Sequence, residues 1–141
     1  MAGYSGTPLP KKLGIKLGCR LALSVAPPDF ARSLGELPEG VKALTFGRAQ
    51  GPFDVLVAFF DSEAVFRRLL PKLHAALAPD GGLWIAWPKR ASGVKTDMTE
   101  DVVRKHGLPR GLVDNKVCAI DATWSGLRLV VRLENRPRPR G

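Results

Sequence analysis

Two segments of the chain, residues 54–60 and 83–89, are apolar at almost every position and do not alternate with polar residues. Strands of this kind are buried on both faces, which is typical of a parallel sheet that helices cover on both sides. Between the two segments, apolar residues recur every four positions, at Val65, Leu69, Leu73 and Leu77. This period indicates an amphipathic helix, so the whole stretch predicts a strand–helix–strand unit.

The helix of this unit has start and stop signals. Asp61 or Ser62 can cap its first turn. Pro71 lies inside the helical pattern and predicts a kink or a break, because proline has no backbone N–H to donate. The sequence Pro-Asp-Gly-Gly at residues 79–82 predicts a firm stop before the second strand.

The elements outside this unit are shorter. They are a short helix over residues 8–13, strands over 20–26 and 43–46, helices over 29–34 and 98–106, and strands over 116–120 and 127–133. Asp29 is the predicted cap of the second helix, and Asp97 with Glu100 has the spacing of a capping box for the last one. The order of elements predicts an α/β fold, with a small, doubly wound, mostly parallel sheet and an antiparallel C-terminal hairpin.

The length of 141 residues suits a single domain with one core. We divide it into an N-terminal arm with a short helix (residues 1–18), an α/β domain (19–133) and a basic tail (134–141). The tail is predicted to be disordered because it is rich in proline and arginine. No apolar run approaches the roughly 20 residues of a membrane span, and the first residues lack the pattern of a secretory signal. A cytoplasmic protein without a membrane partner is expected.

The two cysteines, Cys19 and Cys118, lie in or beside apolar segments. They lack the short spacing of a zinc site or a redox motif, so buried free thiols and no metal site are expected. His74 and His106 have no serine, cysteine or carboxylate at a recognisable catalytic spacing. Surface positions are therefore expected for both histidines.

The formal net charge of +9 favours acidic partners through long-range attraction. Nucleic acid and small phosphorylated molecules are the candidates. Three of the positive charges, Arg136, Arg138 and Arg140, belong to the tail, so part of the excess is not available to a folded surface. The last predicted helix carries Arg104 and Lys105, which are too few basic residues for a helix that reads nucleic acid.

Several short motifs resemble those of a known family. They are GYSGTPL at residues 3–9, KKLGI at 11–15, WPK at 87–89, TEDV at 99–102, LVDNKVC at 112–118 and WSGLR at 124–128. Together they resemble a bacterial family of small proteins that is catalogued as a domain of unknown function. From Arg20 onward the chain also resembles a trimmed class I methyltransferase. The resemblance implies a Rossmann-like fold and brings no activity with it.

Methyltransferases of this fold bind S-adenosylmethionine with a glycine-rich turn after the first strand and a carboxylate after the second. In this chain the first strand leads into Ala26, Pro27 and Pro28, and prolines supply neither close backbone approach nor amide donors. The second strand leads into Phe46 and Gly47, with no acidic residue. Both features are missing, so we expect no S-adenosylmethionine and no other conventional cofactor.

The candidate site lies at the carboxyl end of the strand over residues 83–89, because ligands of open α/β sheets bind outside those ends. The following loop and the last hairpin bring further polar and aromatic residues to the same end. A pocket for an anionic, phosphorylated or aromatic ligand is predicted from Trp87, Lys89, Ser92, Lys95, Thr123, Trp124 and Ser125. Alternatively, the two tryptophans only pack and Lys89 is solvated. Residues 114–116 are predicted to form a turn at the opposite end of the sheet.

These observations favour a small cytoplasmic binding or interaction module on a degenerate methyltransferase-like fold. Two alternatives stay open. The first is a transferase-type enzyme that acts on an anionic small molecule at the strand ends near Lys89. The second is weak, non-specific nucleic-acid binding through charge. Catalytic residues, oligomeric state and the identity of a ligand do not follow from the sequence.

Overall fold

The computed structural model of the protein describes residues 7–136. Its helices are α1 (Leu9–Lys12), α2 (Phe30–Leu34), α3 (Glu63–Ala75) and α4 (Glu100–Gly107). Its strands are β1 (Leu21–Ser24), β2 (Ala43–Thr45), β3 (Phe53–Phe59), β4 (Leu77–Pro88), β5 (Leu112–Ala119) and β6 (Trp124–Val131). Short 3-10 turns cover Arg90–Ser92, Leu108–Arg110 and Leu133–Asn135.

All six strands belong to one sheet in the order β2-β1-β3-β4-β6-β5. The first four strands run parallel to one another, and β6 runs antiparallel between β4 and β5. The predicted fold class is confirmed: a mostly parallel α/β sheet that ends in an antiparallel hairpin. Because the chain turns back from β2 across β1 to β3, the strand order reverses between β1 and β3.

Apolar side chains cover both faces of the sheet, as the continuous apolar strands predict. On one face, Phe66, Leu70 and Leu73 of α3 and Val103 of α4 pack on the sheet. The other face is covered by the shorter helices α1 and α2 and by the segments beside them, with Leu13, Phe30 and Leu34 in the core. Alternate residues of β4 therefore enter two separate clusters.

The start of α3 is fixed by two side chains. Ser62 Oγ accepts a hydrogen bond from the backbone N–H of Val65 at 3.4 Å, as predicted. Asp97 Oδ1 accepts one from the N–H of Glu63 at 2.7 Å, although it was predicted to cap α4. Thr99 caps α4 instead, through its hydroxyl and the N–H of Val102 at 3.1 Å.

Three local predictions are wrong. The predicted break at Pro71 is wrong: α3 continues through this residue, since its apolar face is held by the core on both sides of it. Asp29 makes no side-chain cap at α2. Residues 79–82 were predicted to stop the chain before the second strand, but they lie within β4, which already begins at Leu77. The register of β4 against β3 shifts between Phe53 and Val55.

The carboxylate of Glu63 in α3 bonds to two side chains of α4. Glu63 Oε2 lies 2.8 Å from His106 Nε2 and 3.3 Å from Lys105 Nζ. Hydrogen bonds from His106 and Lys105 hold the pKa of Glu63 below its usual range. His106 is mostly buried, with an exposed side-chain fraction of 16%, and it stacks edge-on against Phe66. The expected surface position of His106 is therefore wrong.

The ends of the predicted domains fall partly outside the described residues. Residues 1–6 of the arm and residues 137–141 of the tail, including Arg138 and Arg140, are not described. Within the described part, Asn135 Nδ2 donates to Gly111 O at 3.4 Å and Arg136 Nε donates to Val131 O at 2.9 Å. Asn135 is thus bonded to the residue before β5, and Arg136 to the last residue of β6. No helix among residues 7–136 has the length and apolar character needed to cross a membrane.

Candidate functional site

A cavity of about 420 Å³ opens beside the carboxyl end of β4, between that strand and the start of α4. Two apolar side chains form its floor: Trp87 at the end of β4 and Met98 before α4. They are only 8% and 2% exposed. Val94 lies at its rim and is 46% exposed. This is the edge of the sheet at which the sequence predicted a pocket. We refer to this cavity as the carboxyl-end cavity.

Hydrogen bonds shape the loop that walls the cavity. Ser92 Oγ donates to Lys89 O at 2.6 Å and accepts from Val94 N at 3.2 Å. Gly93 ends the short turn with a φ of 77°, a left-handed conformation that favours glycine. Thr96 Oγ1 donates to Asp61 O at 2.7 Å, which joins the loop to the end of β3. These hydrogen bonds and the turn at Gly93 therefore fix the shape of the loop.

The charges at the cavity are unbalanced. Within residues 7–136, the side chains of Arg90 and Lys95 make neither an ion pair nor a hydrogen bond. The carboxylate of Glu100 also lines the cavity but is paired with Arg104 at 2.7 Å. Two free cations beside an apolar floor can hold an organic molecule that carries a negative charge.

The structure brings only part of the predicted site together. Trp87 and Lys95 line the carboxyl-end cavity. Lys89 and Ser92 shape the loop that walls the cavity. The Lys89 backbone N–H donates a hydrogen bond to Thr123 O at 2.7 Å. The Ser92 hydroxyl bonds to Lys89 O and to Val94 N within the turn. The Ser92 hydroxyl proton is used within the turn, and the role of Ser92 as an anion donor stays a prediction.

The predicted pocket with two tryptophans is wrong for a geometric reason. Trp87 belongs to the core cluster of α3 and α4, whereas Trp124 packs against the cluster of α1 and α2. In that second cluster the ring centroids of Trp124 and Phe59 are 5.1 Å apart. In the β4–β6 ladder Trp87 pairs with Ser125, and Pro88 pairs with Trp124. Since successive residues of a strand point to opposite faces, the two tryptophans cannot share one cavity.

The lining residues that were not predicted from the sequence include Arg90, Thr96 and Met98. The signal for Arg90 was its position directly after Lys89, in the loop that leaves a central strand at the carboxyl end. Thr96 and Met98 gave no signal, because their role depends on how the loop folds back towards Asp61.

The place where methyltransferases hold S-adenosylmethionine lies at the ends of β1 and β2, and the residues there do not fit the cofactor. β1 is followed by Val25 at φ 55°, a strained conformation for a β-branched residue. Pro27 has no N–H, and its carbonyl already accepts from Phe30 N at 3.0 Å. After β2, Phe46 N donates to Leu23 O at 2.9 Å, and no carboxylate follows.

No group of three or more metal-ligating side chains occurs in the described part of the chain. Cys19 and Cys118 are both free thiols, as expected, and both are half-buried rather than buried. Burial is the main cause that raises the pKa of each thiol. Raised pKa values make both thiols poor nucleophiles.

No protein-family model and no curated protein matches the chain. Solved structures do match it. A SAM-dependent methyltransferase from Aquifex aeolicus is 15% identical with a TM-score of 0.60, and the match covers 86% of this chain and 87% of that chain. A protein assigned as a type 11 methyltransferase from Sulfolobus solfataricus is 12% identical with a TM-score of 0.61, covering 94% and 95%. DhpI in complex with SAH is 15% identical with a TM-score of 0.59, covering 94% and 83%.

At these identities the likeness concerns the fold alone. The chain has the Rossmann-like fold of SAM-dependent methyltransferases, as the sequence predicted from Arg20 onward. The resemblance to a bacterial family of small proteins stays a prediction.

Proposed function

We propose that the protein is a small binding module that holds an organic anion in the carboxyl-end cavity and does not bind S-adenosylmethionine. The observation that carries the proposal is the pair of unpartnered cations, Arg90 and Lys95, beside the apolar floor of Trp87 and Met98. The cavity lies where ligands of open α/β sheets bind.

Size and chemistry narrow the ligand class. Small-molecule sites are commonly about 300–1,000 Å³ in volume, and the cavity lies in the lower part of this range. Arg90 and Lys95 suit a carboxylate or phosphate, and the indole of Trp87 suits an aromatic or aliphatic body. An aromatic or branched-chain acid, or a small phosphate ester, fits both parts.

The residues of the cavity favour binding over catalysis. No histidine or cysteine is among the described residues that line it, and Glu100 is paired with Arg104. Lys89, the centre of the transferase alternative, does not line the cavity. A nucleophile with a base in hydrogen-bonding distance is what covalent catalysis needs, and the carboxyl-end cavity offers no such pair among these residues.

A ligand screen by protein NMR tests the proposal. We expect small aromatic carboxylates and phosphate esters to shift the amides of Gly93, Lys95 and Thr96 in a saturable way. Changing Arg90 and Lys95 together to glutamine should weaken binding about tenfold or more, since both cations would be lost. The matched control changes Lys42 and Lys72 to glutamine, which removes the same charge elsewhere. Equal weakening in both double variants would show that net charge alone attracts the ligand.

The second expectation concerns the cofactor. Calorimetric titration with S-adenosylmethionine should give no saturable heat, because the turn after β1 has two prolines in place of glycines and β2 is not followed by an acid. Saturable binding with a micromolar Kd, about 8 kcal/mol, would contradict the proposal. The control is a ligand from the NMR screen, titrated into the same preparation to show that the protein is competent to bind.

A further inference from the structure

A second concave surface lies at the opposite, amino end of the sheet. It is a groove of about 440 Å³ between the end of α1 and the first residues of β3 and β4, and we name it the amino-end groove. The charged residues that line it are Lys12, Lys16, Lys116, Arg128, Asp54 and Asp80. The groove does not overlap the carboxyl-end cavity.

A bulge in β5 decides where Lys116 points. Asp114 and Lys116 pair with consecutive residues of β6, so Asn115 is left without a partner in the ladder. Residues two apart in a regular strand share a face. Here Asp114 Oδ2 lies 3.1 Å from Arg104 Nε of α4, whereas Lys116 Nζ donates to Lys12 O of α1 at 3.0 Å on the other face. The bulge thus turns Lys116 towards the groove, and bulges of this kind often aim side chains at functional sites.

Arg128 is placed beside Lys116 at a cost. The two residues are direct partners in the β5–β6 ladder, and like charges in such a pair destabilise a sheet. The guanidinium lies over Gly82 of β4, where an added Cβ would clash with Arg128 Nε. The absence of a side chain at Gly82 therefore makes the space that Arg128 occupies.

Two carboxylates, Asp54 and Asp80, line the groove with four cations, but none of these cations forms an ion pair within residues 7–136. The side chains of Lys12, Lys16 and Arg128 make no ion pair or hydrogen bond in this part of the chain, and Lys116 bonds only to a carbonyl. Burial and, to a smaller extent, the positive charge of Arg136 lower the pKa of Arg128. The charged guanidinium is therefore less stable at this position than in water. A bound anion would relieve both effects.

The groove is preformed. Trp84 of β4 is fully buried, and its indole Nε1 donates to Leu13 O at 3.0 Å, which fixes the residue after α1 above the sheet. Gly14 follows with a φ of 77°, a left-handed conformation that favours glycine, and it also lines the groove. The indole hydrogen bond therefore fixes the wall that carries Lys12 and Lys16, and a fixed wall lowers the entropic cost of binding.

We propose that the amino-end groove binds the phosphate group of a small phosphorylated molecule that also carries hydroxyl groups. Arg128 can donate two parallel hydrogen bonds to phosphate oxygens, and Lys12 and Lys116 add positive charge from either side. The carboxylate of Asp80 and the side-chain amide of Asn115 line the same groove and accept hydrogen bonds from hydroxyl groups. The carboxylates of Asp54 and Asp80 repel an anion, so they oppose binding of a phosphate whose hydroxyl groups do not offset this repulsion.

An NMR titration of the full chain with ribose 5-phosphate, at constant ionic strength, tests this proposal. We expect saturable shifts of the Arg128 Nε signal and of the amides of Gly82 and Asn115, and no such shifts with ribose. Arg128→Gln and Lys116→Gln should each weaken binding about tenfold. Lys72→Gln, the same charge change on the exposed side of α3, should leave the affinity unchanged.

Three outcomes would overturn the proposal. Shifts confined to Lys95 and its neighbours would place the phosphate in the carboxyl-end cavity. Equal weakening by Lys72→Gln would reduce the effect to net charge. Saturable shifts at Arg128 with a short oligonucleotide, but none with ribose 5-phosphate, would make the groove a nucleic-acid surface. If Arg128→Gln lowers the melting temperature, its weaker binding is not counted. The test then rests on Lys116→Gln, which changes an exposed side chain, and on the residues whose signals shift in the wild-type protein.

Discussion

Replacing Trp84 by alanine is expected to lower the free energy of unfolding by roughly 3–5 kcal/mol, the range for large aromatic residues in cores. Trp84 is fully buried between the sheet and α1. The change leaves a cavity beneath α1 and takes the hydrogen-bond donor from Leu13 O. Because the free energy of unfolding of a small domain is only about 5–15 kcal/mol, this single change removes a large share of it. Chemical denaturation followed by circular dichroism measures it.

Two companion variants separate the causes. Trp84→Phe keeps most of the apolar volume but loses the indole N–H, so we expect a smaller loss of roughly 1–3 kcal/mol from the unsatisfied carbonyl and the reduced volume. Trp124→Ala is the control for removing an indole, since Trp124 is only half-buried at the edge of the same cluster. A loss at Trp124 as large as that at Trp84 would contradict the role given to the buried hydrogen bond and to α1.

The order of the strands and helices could be predicted because it depends on patterns that single residues do not change. The apolar runs that became β3 and β4 and the four-residue period of α3 each extend over at least seven positions. Such patterns indicate which face is buried whatever the neighbours are. The antiparallel hairpin followed from its two short strands and the short connection between them.

Local errors arose where tertiary contacts override sequence preference. Pro71 is compatible with α3 because one missing hydrogen bond costs less than breaking a packed helix. Asp97 has the right spacing to cap α4, but the fold places its carboxylate at the start of α3, and sequence spacing cannot reveal a contact between residues 34 positions apart.

The candidate site was less predictable than the fold. From the rule that ligands of open α/β sheets bind outside the carboxyl ends of the strands, the sequence predicted a pocket at an edge where the structure has a cavity, and Trp87 and Lys95 line it. Which face each residue occupies depends on register, and a shift of one residue exchanges the faces. For that reason Trp124 was assigned to the wrong side. The amino-end groove depends on the bulge at Asn115, which reads as a turn in the sequence.

The last prediction concerns Gly81, which the sequence suggested was part of a turn and which the structure places inside β4. An added Cβ there would lie 2.8 Å from Asp54 O and 2.9 Å from Phe53 O, and both are backbone atoms of β3. Gly81→Ala should therefore force the two strands apart at their amino ends and cost roughly 1–3 kcal/mol, as overpacking does. Thermal and chemical denaturation measure the loss.

Gly107→Ala is the matched control for this change. Its added Cβ would lie 3.2 Å from Leu129 Cδ1, the end of a flexible side chain, and Gly107 is a residue of α4. Alanine gains up to about 1 kcal/mol over glycine in a helix, so the contact and the helix preference should nearly cancel. A destabilisation by Gly107→Ala equal to that by Gly81→Ala would show that loss of any glycine is harmful. The difference in stability between the two variants therefore isolates the cost of crowding β3 against β4, beside Asp54 and Asp80 of the amino-end groove.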